Sequence, residues 1–186
     1  LVYADRYRLY ILDRKGKERV KVSTLLNLSA NTSLYLTKQN GQMKMAFMDA
    51  NGEIVLVNFR GQVERIWGEE MIGGGMFNVE DVNNDGQDEF IYTLKNRIVV
   101  MDNKGKLLFE KHWEDSELDF PYIYRFSARD SRIGIMDGKG ERLFLLDMKE
   151  VSKGFPIRGN SPVSIAFVDN GSAGFYLFAG SDVTHL

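Results

Sequence analysis

A hairpin signal that recurs about every 45 residues constrains this chain more than any other feature of its sequence. Each copy is an apolar run ending in Asp or Asn, two polar or variable residues, a glycine and a second strand-like run. The clear copies are LYILDRKGKERVKV, IVLVNFRGQVERIW and IVVMDNKGKLLFEKHW, with Gly16, Gly61 and Gly105 lying 45 and 44 residues apart. A degenerate copy, LFLLDMKEVSKGFPI, has Gly154 after a longer loop. The Asp or Asn side chain is expected to accept hydrogen bonds from its own turn, while glycine adopts the positive φ that reverses the chain.

Two further strand-like runs precede the later hairpins. They read TSLYLTKQ and MKMAFMD in the second unit, GGMFNVEDV and DEFIYTLKN in the third, and YIYRFSA and RIGIMD in the fourth. Four short strands in about 45 residues are the strand count and the period of one β-propeller blade. A β-sandwich is the alternative all-β interpretation, but a sandwich does not require this period.

These units predict an all-β chain in which residues 1–186 form a single β-propeller region. The units are expected at 1–22 (partial), 31–67, 74–113, 121–158 and 161–186 (partial). The first unit opens on what reads as a second strand, LVYAD, and the last ends in a third strand, VTHL. We therefore expect an arc of about four to five four-stranded blades within a larger propeller whose other blades lie upstream. Irregular closure as five blades is the alternative.

Composition and charge narrow the classes of partner. Lys and Arg number 24 against 26 for Asp and Glu, and no long basic run occurs, so we expect no nucleic-acid partner. Cysteine is absent, which excludes disulfides, cysteine nucleophiles and thiolate metal sites. No apolar run approaches the roughly 20 residues of a membrane-spanning helix, so no transmembrane segment is predicted. Because the chain opens on Leu1 rather than Met, we interpret it as a piece of a longer protein whose targeting signal lies upstream.

The stretch DVNNDGQDE is the densest group of oxygen ligands in the sequence. Ca²⁺ takes six to eight oxygen ligands, and side chains from alternate residues can converge on one point where the backbone curls. Gly86 permits such a sharp turn. The candidate ligands are Asp81, Asn83, Asp85, Gln87 (through its main-chain carbonyl) and Glu89. Two interpretations remain open: a structural calcium loop, and a polar turn that keeps these residues for its backbone geometry.

Three segments carry resemblances to known propeller families. IVVMDNKGKLLFEKHW resembles the repeat of quinoprotein-like (PQQ-like) propellers, and MFNVEDVNNDGQDEFIY resembles the FG-GAP repeat of integrin-type propellers, which carries a calcium loop between two blade strands. GFPIRGNSPVSI and the later AGSD are similar to the C-terminal blades of uncharacterised envelope-associated propeller proteins of Gram-negative bacteria. These resemblances imply a propeller fold, a Ca²⁺ loop and an extracytoplasmic location in the periplasm or cell envelope. Glu89 departs from the FG-GAP pattern, which usually has Asp there.

The resemblances imply a binding platform and no organic cofactor. Quinoprotein dehydrogenases hold their cofactor over a central tryptophan, whereas Trp67 and Trp113 each end an outer-type strand here. His112 and His185 are far apart in sequence, and no G-x-S-x-G nucleophile motif occurs. We therefore predict no catalytic residues, and expect a non-catalytic binding or scaffold module with a protein or glycan partner. The alternative function is a fragment of a propeller enzyme, of hydrolase, lyase or quinoprotein type, with its active site in axial loops.

Overall fold

The chain is all-β, as the sequence predicts. The computed structural model describes residues 1–22, 24–28, 33–66, 77–139, 141–159, 163–168 and 174–179, with side chains described as far as residue 159. Every regular element in these ranges is a β-strand, and every strand pairing is antiparallel. Within the same ranges, no helix has the length and apolar character needed to cross a membrane.

The strands form five sheets, and within each sheet the strands follow one another in chain order. Sheet 1 contains β1 (Val2–Ala4), β2 (Leu9–Leu12) and β3 (Glu18–Lys21). Sheet 2 contains β4 (Tyr35–Gln39), β5 (Gln42–Met48), β6 (Ile54–Asn58) and β7 (Val63–Ile66). Sheet 3 contains β8 (Phe77–Glu80), β9 (Glu89–Leu94), β10 (Arg97–Met101) and β11 (Leu107–His112). Sheet 4 contains β12 (Tyr122–Ser127), β13 (Asp130–Asp137), β14 (Arg142–Leu146) and β15 (Ile157–Arg158), and sheet 5 contains β16 (Val163–Val168) and β17 (Gly174–Ala179).

The recurring hairpin turns take the predicted form. In three of them a side-chain oxygen accepts hydrogen bonds of 2.8–3.0 Å from the amides two and four positions later; the accepting residues are Asp13, Asn58 and Asp102. The glycines that follow them have φ of 77°, 83° and 81°. Asp49 builds the same turn between β5 and β6, with amide contacts of 2.8 and 3.0 Å. The same local chemistry therefore also closes the hairpin between the second and third strands of sheet 2, outside the turns that recur about every 45 residues.

Consecutive sheets pack face to face through the two sides of their central strands. On β6, Val55 and Val57 belong to a core cluster shared with sheet 1, whereas Ile54 and Leu56 belong to one shared with sheet 3. The strand β10 repeats this division, with alternate residues in the clusters toward sheets 2 and 4. Burial on both sides explains why these strands read as unbroken apolar runs rather than as alternating ones. The result is a propeller-like stack of antiparallel sheets.

The segments that connect one sheet to the next form backbone hydrogen bonds with turns of adjacent sheets. Leu28 forms an isolated bridge with Asp49 of sheet 2, and Leu118 forms one with Asp137 of sheet 4. The Leu118 amide also donates to the Lys95 carbonyl of sheet 3 at 2.7 Å. These segments therefore connect successive sheets by backbone hydrogen bonds as well as by covalent linkage.

Candidate functional site

The DVNNDGQDE stretch connects β8 to β9 inside sheet 3. Both carboxylate oxygens of Asp81 accept backbone amides, from Asp85 at 3.1 Å and Gly86 at 3.0 Å. The side-chain oxygens of Asn83 and Asp85 each accept an amide two positions later, at 2.8 Å. Gly86 has φ of +86°, and a Cβ added there would meet no atom within 4 Å. The loop is thus a series of overlapping turns, each closed by one of the predicted ligand residues.

Glu89 is the buried carboxyl group of this loop, with 1% of its surface exposed. It accepts the amides of Val82 and Asn83 at 3.0 and 3.3 Å, and the Asn83 side-chain amide at 3.0 Å. Burial raises the pKa of Glu89 from 4.5 to about 8; the backbone hydrogen bonds from Val82 and Asn83 oppose this rise, and the charges of Asp85 and Asp81 add to it. A cation beside these three carboxyl groups would favour the ionised form of Glu89.

The second half of the loop contacts sheet 2 instead of the other candidate ligands. The Gln87 side-chain oxygen accepts the Asn40 amide, and the Asp88 carboxylate accepts the Thr37 hydroxyl at 2.9 Å. The Gln39 amide group donates to the Asp88 carbonyl at 3.1 Å. The loop therefore connects two strands of sheet 3 and also contacts sheet 2 through hydrogen bonds. Sequence reasoning missed Asp88, because its hydroxyl partner lies 51 positions away and leaves no local signal.

The donor set suits Ca²⁺ in chemistry, while its arrangement in this structure is that of a polar turn. Carboxylate and amide oxygens are the ligands that Ca²⁺ prefers. The Asn83 side-chain nitrogen, however, donates hydrogen bonds to the carboxyl groups of Asp85 and Glu89, at 3.1 and 3.0 Å. Across the described ranges, no three His, Asp or Glu side chains converge as a metal-binding group. Binding would require the Asn83 amide to rotate so that its oxygen faces the two carboxylates.

Other residues singled out in the sequence have structural surroundings or lie outside the description. His112 is exposed and sits 2.9 Å from Glu110, a carboxylate that Arg97 also contacts at 2.8 Å. Trp113 packs on Phe144 of sheet 4, with ring centroids 5.0 Å apart. Trp67 and His185 lie outside the described residues.

Comparison with known proteins shows a likeness to solved structures. No protein-family model matches the chain, and no curated protein matches it. Among solved structures it is similar to the crystal structure of a protein of unknown function from Bacteroides caccae, at 14% sequence identity and a TM-score of 0.49. The alignment covers 95% of this chain and 65% of that one, so the chain spans less than two thirds of that protein's length.

Proposed function

We propose that this chain is a non-catalytic β-propeller module that presents a binding or scaffold surface. It would form an arc of about four to five blades of a larger propeller with PQQ-like and FG-GAP-like repeats. The observation that carries the proposal is the burial of both faces of the central strands, for example Ile98 and Val99 on β10. Because both faces of these central strands are buried, a partner can contact only the loops, the inner strands and the sheet edges. Repeat scaffolds bind their partners through surfaces of this kind.

The proposed setting is the envelope of a Gram-negative bacterium, and the proposed partner is an envelope protein or glycan. The resemblance of the C-terminal third to envelope-associated propellers supports this. Immobilised chain should retain a defined envelope protein or glycan from a solubilised envelope fraction, and an unrelated propeller of similar size should not. Retention of the same proteins and glycans by the immobilised chain and by the control propeller would contradict the proposal.

We further propose that the β8–β9 loop takes up one structural Ca²⁺. The side chains of Asp81, Asn83, Asp85 and Glu89 and the main-chain carbonyl of Gln87 would hold it. Three of the four carboxyl groups of this nine-residue loop are among these candidate ligands, and carboxylate oxygens are ligands that Ca²⁺ prefers. The ion would stiffen a turn that also touches sheet 2, so its effect is expected on stability.

The calcium proposal is tested by thermal unfolding at increasing Ca²⁺. A free Ca²⁺ concentration of a hundred times Kd stabilises the folded state by about 2.7 kcal/mol. The midpoint temperature of unfolding of the wild type should therefore rise. Asp85→Asn should lose this rise. The matched control is Asp102→Asn, which alters an equivalent turn of the same sheet and should keep the rise. An unchanged wild-type midpoint at millimolar Ca²⁺ would leave the polar turn as the explanation.

A further inference from the structure

The recurring hairpin turns of sheets 1 to 4 all carry exposed cations. These turns join β2 to β3, β6 to β7, β10 to β11 and β14 to β15, at residues 13–17, 58–62, 102–106 and 147–154, and are called the rim turns below. Their cations are all exposed: Arg14, Lys15, Lys17, Arg60, Lys104, Lys106, Lys149 and Lys153. Within the part of the chain that the structure describes, none of these cations forms an ion pair. Their charges are therefore available to a partner.

The carboxylates of the rim turns are fewer than the cations, and most of them face the turn backbone. The acids are Asp13, Asp102, Asp147 and Glu150. Asp147 accepts the amides of Lys149 and Glu150 at 2.7 and 2.8 Å, and Asp13 and Asp102 accept amides of their own turns in the same way. The rim turns thus carry an excess of positive charge, although the whole chain has a formal net charge of -2.

The topology places the four rim turns at one end of the stack of sheets. In an antiparallel sheet whose strands follow chain order, the first and third connections lie at one end and the second connection lies at the other. Leu28 links the second connections of sheets 1 and 2, because its amide donates to the Arg6 carbonyl at 2.7 Å and it forms a bridge with Asp49. Leu118 links those of sheets 3 and 4 in the same way. Between sheets 2 and 3 the β8–β9 loop contacts the β4–β5 turn, so their first connections share an end. Neighbouring sheets therefore have the same orientation, and the rim turns form one continuous rim.

Exposed apolar side chains accompany the cations of this rim. Phe59 precedes Arg60 in the rim turn of sheet 2 and is 45% exposed. Leu107 and Leu108 follow Lys106 directly after the rim turn of sheet 3 and are 51% and 36% exposed. Cations beside exposed apolar side chains are typical of surfaces that lie on a membrane, because lipid phosphates attract the cations while the apolar groups enter the boundary between headgroups and acyl chains. An anionic polysaccharide would match the charges but offers no apolar layer to these side chains.

The acidic β8–β9 loop lies at the same end but on the other side of its sheet. It joins the first and second strands of sheet 3, whereas the rim turn joins the third and fourth. Two strand spacings, about 10 Å, therefore separate the two connections. The Debye length at physiological ionic strength is about 8 Å, so salt largely screens the rim cations from the carboxylates of that loop.

We propose that the rim docks on the surface of an anionic phospholipid bilayer. The cations of the rim turns pair with lipid phosphates, and Phe59, Leu107 and Leu108 enter the headgroup region. The inference goes beyond the proposed function, since it adds a lipid surface to the protein or glycan partner and does not depend on that partner. Each Lys or Arg near an anionic bilayer strengthens binding roughly fivefold, so several neighbouring turns acting together hold the chain on the surface.

Flotation with lipid vesicles tests the proposal. The chain should bind phosphatidylcholine vesicles that contain one third phosphatidylglycerol, and should not bind vesicles of phosphatidylcholine alone. Raising the salt from about 0.1 M to about 1 M shortens the Debye length from roughly 10 Å to roughly 3 Å and should release the chain.

The variants locate the binding surface. Lys104→Gln combined with Lys106→Gln should weaken binding about tenfold or more, while the turn persists because Asp102 accepts backbone amides there. Phe59→Ser should weaken binding severalfold. The matched control is Lys95→Gln combined with Lys139→Gln, which removes two exposed cations from second connections at the opposite end and should leave binding unchanged.

Three outcomes would overturn the proposal. The first is absence of binding to the anionic vesicles at about 0.1 M salt. The second is equal weakening by the rim and control double variants, which would show that only net charge matters. The third is release from the vesicles by soluble polygalacturonate together with unchanged vesicle binding of Phe59→Ser, which would assign the rim to an anionic glycan. Retention of an envelope partner is measured separately, so the scaffold function and the lipid surface can fail independently.

Discussion

At the scale of single residues, Glu89 combines opposing influences in one side chain. Three hydrogen-bond donors from Val82 and Asn83 favour its carboxylate form, whereas burial and the nearby Asp81 and Asp85 favour the protonated form. Burial is the largest of these effects, so the pKa lies at about 8. In the absence of a cation, Glu89 therefore takes up a proton on folding at neutral pH.

This proton uptake predicts how stability depends on pH. The pKa of Glu89 is raised from 4.5 to about 8 by folding, so between these values the native state binds more protons than the unfolded state. In a chelator-containing buffer, the contribution of Glu89 to stability is therefore fully present below pH 4.5 and is lost as pH rises to 8, by up to about 1.4 kcal/mol per pH unit. Urea unfolding at pH 5, 6, 7 and 8 measures it. Glu89→Gln should flatten the profile, and parallel profiles for the two proteins would contradict the assignment.

Two turn glycines of the same type should differ in their tolerance of a side chain. Gly16 and Gly61 have φ of 77° and 83°, so Ala costs about 1–2 kcal/mol at either position. A Cβ on Gly16 would meet nothing within 4 Å, whereas one on Gly61 would lie 2.7 Å from the Lys21 carbonyl oxygen and 3.1 Å from Val20. Urea unfolding should therefore show Gly61→Ala to be less stable than Gly16→Ala by about 1–3 kcal/mol. Equal losses of unfolding free energy in the two variants would mean that sheets 1 and 2 can move apart at this contact at little cost.

At the scale of strands and turns, predictability from sequence follows the range of the interaction. The turn at Asp102 was predictable because the carboxylate, the amides that it accepts and the glycine lie within four positions of one another. The strand runs were predictable because burial on both faces produces unbroken apolar stretches. The bridge from Asp88 to Thr37 was not, because it depends on how two sheets pack. The β8–β9 loop lies between these cases: its turns are local, but the orientation of the Asn83 side chain depends on its hydrogen bond to Glu89.

The division of β10 between two interfaces predicts which substitutions interact. Val99 shares a core cluster with Leu56 of sheet 2, whereas its neighbour Val100 shares one with Leu146 of sheet 4. Each Val→Ala should cost about 1–3 kcal/mol, since all are buried. In double-mutant cycles measured by denaturant unfolding, Val99→Ala should couple with Leu56→Ala by about 0.5 kcal/mol or more, and should add independently to Leu146→Ala. Val100→Ala should instead couple with Leu146→Ala and add independently to Leu56→Ala. Coupling of both valines to the same partner would contradict the alternation.

At the scale of the whole molecule, the sheets form a series in which three of the four core clusters among the described residues join two neighbouring sheets. These three contain residues of sheets 1 and 2, of sheets 2 and 3, and of sheets 3 and 4, whereas the described residues of the fourth belong to sheet 4. Side-chain hydrogen bonds link the same neighbouring sheets. Thr37 of sheet 2 donates to Asp88 beside sheet 3, and Arg125 of sheet 4 donates to Glu80 of sheet 3. In such a series, stability is approximately a sum over sheets and nearest-neighbour interfaces. An end sheet of an open arc then has one stabilising neighbour, whereas every sheet of a closed ring has two.

This difference predicts the response to a cavity at the central interface. Phe90 is fully buried in the cluster shared by sheets 2 and 3, so Phe90→Ala should cost about 3–5 kcal/mol, a large part of the stability of an ordinary domain. In an open arc, hydrogen exchange of the variant should show sheets 1 and 2 losing amide protection together, because the break leaves them joined only to each other. Ile11→Ala, in the cluster shared by sheets 1 and 2, is the control and should release sheet 1 alone. Uniform loss of protection across all sheets in both variants would contradict the arc, since a closed ring keeps every sheet attached through its other neighbour until the whole structure unfolds.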